Sequence, residues 1–151
     1  MRLAVASDHG GFKLKAEIMQ YVKGIGIDFE DLGTYSEESV DYPDYALAVA
    51  ESVAEGKFDL GIICCGTGIG VSITANKVAG VRAALCHDTF SARMAREHNN
   101  ANVLTLGQRV IGVGLALDIV GAFLDAEFQS GGRHSCRVDK IGDIEKKYRI
   151  L

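Results

Sequence analysis

Short apolar, β-branched runs alternate along the chain with longer stretches whose apolar residues return at helical spacing. That order marks β–α–β units around a parallel sheet buried on both faces, where strands read as nearly continuous apolar runs. Strands are predicted near Leu3 to Ala6, Asp28 to Leu32, Leu60 to Cys64, Arg82 to Cys86 and Val103 to Leu106. Between the first two, Phe12, Ile18, Met19 and Val22 recur at helical spacing, and Gly24 offers a stop. Tyr45 to Ala54, Ile69 to Lys77, Thr89 to Glu97, Val110 to Leu124 and Asp139 to Tyr148 complete the helices. Pro43 suits a first helical turn, because it lacks an N–H that has no partner there in any case. The segment GGRHSCRV follows a helix, and its placement needs a turn.

No linker, repeat or low-complexity tract interrupts this order, so residues 1–151 are expected to form one domain. Right-handed crossovers then leave an α/β fold, a doubly wound, Rossmann-like sheet of five parallel strands with helices on both faces. In such sheets ligands bind beyond the carboxyl ends of the strands, where strand order reverses. The segments to search for chemistry are therefore SDHGG, GTYSEESVDYPDY, CGTGIG, HDTF and GQRV.

Composition narrows the partners. Hydrophobic residues at 48% and charged ones at 24% are those of an ordinary globular domain, whereas 18 Gly against a single Pro point to turns of unusual geometry. A net charge of −4 argues against a general nucleic-acid or membrane-surface binder, which relies on many Lys and Arg to neutralise phosphates. MRLAVASDHGG is too short an apolar run for a secretion signal, and the expected location is the cytoplasm. Cys64, Cys65, Cys86 and Cys136 form no CxxC pair and are expected to be free thiols.

LGIICCGTGIGVSITANK reads as strand, glycine turn and helix. Gly66, Gly68 and Gly70 permit positive φ and close backbone approach, and the N–H groups at the helix start favour an anion. The P-loop pattern GxxxxGK[ST] is not met, and GTGIG departs from the dinucleotide pattern GxGxxG, although Asp88 falls about 20 residues on, where a ribose-binding acid is expected. Cys64 and Cys65 point to opposite sides of an extended strand, so one of them at most faces the turn, and Cys65 stands at its end. A thiolate beside amide donors serves as nucleophile or base; a free Cys is equally at home as core packing. His98, in REHNNANVL, is either a proton carrier or a cation at a helix C-terminus. Asp8 and His9 follow the first strand directly, as His87 and Asp88 follow the fourth. No metal is expected, since neither HxxxH nor CxxC spacing occurs. Arg109, Arg133, His134 and Arg137 stand out in an acidic chain; guanidinium forks match phosphate oxygens, and salt bridges between subunits are the other reading.

SDHGGFKLK, DYPDYA, ICCGTGIGVSITANK, REHNNANVL and GGRHSCRV, in this order over nearly the whole chain, resemble the ribose-5-phosphate isomerase B family and its lactose-operon sugar-phosphate isomerase relatives. The resemblance implies a three-layer α/β/α sandwich and a metal-independent, cofactor-free aldose–ketose isomerase that interconverts ribose 5-phosphate and ribulose 5-phosphate. It further implies a homodimer with shared sites, the C-terminal helix packing on the partner subunit. Cys65 would be the base that removes the C2 proton, and Thr67 its accompanying hydroxyl. Some branches use a glutamate farther along this loop, where Ser72 stands here, so the thiol branch fits. His98 would open the furanose ring, with Asp8 as its counterpart. Asn99 and the Gly66 to Gly70 amides would hold the enediolate. His9, Arg133, His134, Arg137 and Arg109 would form the phosphate pocket and Tyr42 a wall. A 6-phosphohexose such as allose 6-phosphate or galactose 6-phosphate is the alternative substrate, and a non-catalytic sugar-phosphate or nucleotide binding module the alternative function.

Overall fold

The computed structural model describes residues 1–148. Five strands, β1 (Arg2–Ser7), β2 (Asp28–Asp31), β3 (Leu60–Cys65), β4 (Ala83–Leu85) and β5 (Val103–Gly107), form one parallel sheet in the order β2-β1-β3-β5-β4. Six helices connect and cover it: α1 (Phe12–Gly24), α2 (Tyr42–Ala54), α3 (Ile69–Ala75), α4 (Thr89–Glu97), α5 (Val113–Asp125) and α6 (Arg133–Tyr148). The central strand β3 reads LGIICC because every residue in it is buried, one set of side chains on each face.

Two cores result. Leu3, Val5, Ile62, Cys64, Leu104 and Leu106 meet Leu14, Ile18 and Val22 of α1 and Ile119, Val120 and Phe123 of α5 on one face. Ala4, Ala6, Ile63, Cys65 and Val103 meet Val49, Ala50 and Val53 of α2 and Val71 and Ala75 of α3 on the other. Each fully buried aliphatic side chain contributes about 1.5–3 kcal/mol relative to exposure. The layers are therefore α/β/α, as expected. Among the described residues no helix is long and apolar enough to cross a membrane, and all four cysteines are free.

Strand order sets where ligands go. From β1 the chain moves to β2 on one side, then returns to place β3 on the other, so the switch point lies between the carboxyl ends of β1 and β3. The connection after β1 leads to α1 on one face, and that after β3 leads to α3 on the opposite face.

Several boundaries differ from the sequence reading. α2 begins at Tyr42, with Pro43 inside its first turn. α5 begins at Val113, because Val110 and Ile111 donate their N–H groups to the Gly107 carbonyl in a turn. The largest difference is α6, which starts at Arg133 rather than Asp139. Gly131 and Gly132, at φ of 85° and 71°, make the turn in two residues, so Arg133, His134 and Arg137 lie on helix instead of on a connecting loop.

Candidate active site

The end of β3 is held on three sides. The Cys65 carbonyl accepts the Gln108 N–H at 2.9 Å and the Gly66 carbonyl accepts the Arg109 N–H at 3.0 Å, so the turn after β5 is laced to the turn after β3. Gly107 lies directly against the Thr67 backbone, where a Cβ would stand 2.5 Å from the Thr67 carbonyl carbon. From β1, the Asp8 N–H donates to the Cys64 carbonyl at 3.2 Å, and Asp8 Oδ1 accepts the Gly11 N–H at 3.0 Å, capping a single 3-10 turn, His9–Gly11. Gly11 lets that turn rest on the Cys64 and Cys65 backbone. A methyl there would meet peptide atoms that cannot swing aside. Gly11→Ala is expected to cost about 1–3 kcal/mol, read as a lower urea midpoint; an unchanged midpoint would mean that the turn is free to move.

Cys65 and Asp8 end up adjacent and almost wholly covered, 4% and 7% exposed. The Gly68 N–H donates to Cys65 Sγ at 3.0 Å, which Gly68 permits by adopting φ of 78°. Thr67 is exposed at the tip of the same turn, its Oγ1 accepting from the Ile69 N–H at 3.3 Å. Tyr42 lies over Gly70, where a Cβ would come within 2.6 Å of its ring, and the Arg109 guanidinium reaches over Gly66. The sulfur thus sits at the switch point on the Gly68 amide, in a turn that Tyr42 and Arg109 approach at Gly70 and Gly66 and beside the strand end that carries Asp8.

The other cysteines are set apart. Burial, followed by Cys65 itself, pushes the Cys64 thiol far up, and it faces the opposite core. Burial, with Asp88 nearby, pushes Cys86 up to about 11. Asp88 caps α4, its Oδ1 accepting the Ser91 N–H at 2.7 Å and its Oδ2 the Ser91 hydroxyl at 2.8 Å; these bonds hold its carboxyl below the usual range. A ribose-binding role for Asp88 has no support here.

His98, Asn99, Arg133, His134 and Arg137 form a second cluster. α4 runs antiparallel to the strands, so its C-cap His98 lies at the amino-terminal edge of the sheet, four residues before Asn102, whose N–H donates to the Arg82 carbonyl at the start of β4. His98 and His134 stack face to face, ring centroids 4.0 Å apart and 5° from parallel. Burial, His98, Arg133 and Arg137 together hold His134 below the ordinary imidazole value. A groove of about 490 Å³ beside this cluster is lined by Asn76, Arg82, Asn99, Ile141 and Ile144. One chain therefore carries Asp8, His9, Tyr42, Cys65, Gly66, Thr67, Gly68, Gly70 and Arg109 on one edge and the remaining five residues on the other. The two edges are separated by a strand such as the five-residue β5, about 16 Å.

Lys15 is the residue that sequence reading passed over. It shares the buried face of α1 with Ile18 and Val22, and it is 1% exposed. Its signal was a cation at an apolar register position, three residues before Ile18 and seven before Val22. Among the described residues no three His, Cys, Asp or Glu side chains converge as a metal site.

The chain is similar, at 59% identity and a TM-score of 0.96, to ribose-5-phosphate isomerase B of Clostridium thermocellum, over 98% of this chain and 99% of that one. It is 49% identical over 146 residues to ribose-5-phosphate isomerase B of Escherichia coli (strain K12), which covers 97% of each chain. A ribose-5-phosphate isomerase B of Mycoplasma genitalium, solved with bound ribulose-5-phosphate, is 45% identical with a TM-score of 0.91, over 97% of each chain. The family model described as Ribose/Galactose Isomerase matches residues 3–141. With that match and these relatives, the chain belongs to the Ribose/Galactose Isomerase family.

Proposed function

We propose that this protein is an aldose–ketose isomerase interconverting ribose 5-phosphate and ribulose 5-phosphate. The observation that carries the reading is Cys65 Sγ beside Asp8, under the amide turn at the sheet's switch point, in a chain similar to enzymes named for that reaction. The chemistry follows from the residue types. Cys65, as thiolate, takes the proton from C2; the electron pair forms the C1–C2 double bond, and the C1 carbonyl oxygen becomes an enediolate oxygen. Fixed N–H donors aimed at such an oxygen are each worth about 3 kcal/mol when removed singly. Returning the proton to C1 while the C2 hydroxyl proton passes to the C1 oxygen yields the ketose. Thr67 and Asp8 are the polar groups beside this transfer.

Furanose opening needs a separate proton carrier, because the ring oxygen and the C2 proton lie in different places. His98 is that carrier, with Asn99 beside it to hold the enediolate. His9, Arg109, Arg133, His134 and Arg137 take the phosphate, and Tyr42 walls the site. Since the two groups of residues occupy opposite edges of one chain, the reading includes a homodimer in which the His98 edge of one copy completes the Cys65 edge of the other. α6, on which no described residue is buried, would then pack on the partner. The enzyme works in the cytoplasm on a small phosphorylated sugar, with neither nucleic acid nor membrane as partner.

A coupled assay comparing ribose 5-phosphate with allose 6-phosphate, run with and without EDTA, tests the reading. Turnover is expected with ribose 5-phosphate and is expected to survive the chelator, since side chains and amides supply base, acid and anion contacts. Faster turnover of the hexose phosphate would move the substrate assignment, binding without turnover of either sugar would leave a sugar-phosphate binding module, and activity lost to EDTA and restored by a divalent cation would overturn the mechanism.

A further inference from the structure

A lysine ammonium is almost never fully buried unless something pairs with it. In Lys15, Nζ donates to Asp31 Oδ1 at 2.6 Å and to the Thr34 carbonyl at 2.6 Å, between the rings of Phe12 and Tyr35 at 5.6 and 5.4 Å. Asp31 Oδ1 also accepts the Gly33 N–H at 2.9 Å. One buried cation thus pins the start of the segment that leaves β2. The same stretch also pairs with β1, the Ser7 N–H donating to the Gly33 carbonyl and the Thr34 N–H to the Ser7 carbonyl, both at 2.7 Å, whereas beyond Thr34 the segment shows exposed contacts, a Lys13–Glu37 ion pair at 3.4 Å and a Glu38 N–H to Ser36 Oγ bond at 3.3 Å, which carry little energy. At its far end the Val40 N–H donates to His9 Nδ1 at 3.2 Å. An imidazole nitrogen that accepts a hydrogen bond carries no proton, so in neutral His9 the proton is on Nε2. Nε2–H is the donor left for a ligand oxygen.

We infer that Lys15 is a positioning residue for anion capture: by clamping Gly33 and Thr34 it holds the Val40 amide on His9 Nδ1, which keeps the His9 Nε2–H presented to the substrate's phosphate. The phosphate assignment of His9 rests on the function proposed above; the link from Lys15 to the His9 tautomer does not. Neither Lys15 nor Asp31 touches the substrate. Their effect reaches it only through the loop.

The wild-type protein gives the first test. In ¹⁵N spectra of the imidazoles without ligand, His9 is expected to show a pyridine-type Nδ1 and a protonated Nε2; a protonated Nδ1 overturns the inference. Lys15→Met, checked for folding by circular dichroism and urea melting, is expected to turn that spectrum into a tautomer mixture. The same variant should weaken inorganic phosphate, titrated on the His9 resonance, about tenfold, the factor of one hydrogen bond to a charged group. With ribose 5-phosphate, KM should rise by a similar factor while kcat stays within about threefold. Asp31→Asn serves the same purpose should Lys15→Met fail to fold. In a His9→Ala background, adding Lys15→Met is expected to change phosphate affinity no further, whereas multiplying losses would mark a merely structural role and overturn the inference. A wild-type protein that binds phosphate and turns over no sugar would sink the isomerase reading and leave the spectra and phosphate titrations to judge Lys15.

Discussion

Cys65→Ala is expected to lower turnover of ribose 5-phosphate by about a thousandfold, within the range that a positioned general base contributes, while leaving sugar-phosphate affinity within about threefold. The size of the effect follows from the absence of a substitute. Cys64, one residue away, faces the opposite core, and its burial keeps the thiol protonated. Cys86, pushed up to about 11, is likewise a poor base near neutrality. Cys136 is exposed on α6, on the far edge. Affinity should survive because the phosphate contacts proposed for the arginines and His9 do not pass through the sulfur. The variant loses only one short side chain and one amide partner, the Gly68 N–H, so it should fold. Two measurements separate chemistry from binding: exchange of the C2 hydrogen with deuterated solvent, and calorimetric titration with the substrate. Exchange at the wild-type rate would take the base assignment away from Cys65, and loss of binding in step with turnover would make it a packing residue.

The fold was legible in the sequence wherever burial on both faces wrote a continuous apolar run. LGIICC and VLTLG fell at the predicted places because central strands of a parallel sheet are buried along their whole length, Thr105 being the one hydroxyl side chain in the two. Edge strand β4 shrank to three residues, since an edge has one partner and less to bury. Local placement was legible too: Cys65 at a strand end, glycines behind it, Asp8 and His9 after β1. Two things were not. The Arg133 helix start depends on two glycines at positive φ, which a pattern of apolar residues does not encode. Lys15 depends on Asp31 and the Thr34 carbonyl, partners 16 and 19 residues away that only the folded chain brings to it. The position of His98 relative to Cys65 lies between these cases. An antiparallel return of α4 puts the helix end at the edge opposite the strand ends, so a chain order of strand, helix, histidine already separates the two groups, provided the topology is known.

That separation supplies the second large effect. Cys65→Ala and His98→Ala proteins are each expected to be nearly inactive alone, yet an equimolar mixture, denatured together and refolded, should regain about a quarter of wild-type activity, as a symmetric dimer with shared sites requires. Random pairing makes half of the dimers hybrids. In each hybrid one site receives both substitutions, and the other receives neither: its Cys65 comes from the His98→Ala chain and its His98 from the Cys65→Ala chain. Sites confined to one chain give no recovery, because every site then carries one defect whatever its neighbour. The same experiment with Cys65→Ala and Asp8→Ala should fail, since Asp8 and Cys65 lie on one edge of one chain and each hybrid site inherits a single defect. Recovery in the first mixture together with silence in the second would map the border between subunits through the site; recovery in both, or in neither, would contradict the division of the residues between the two edges.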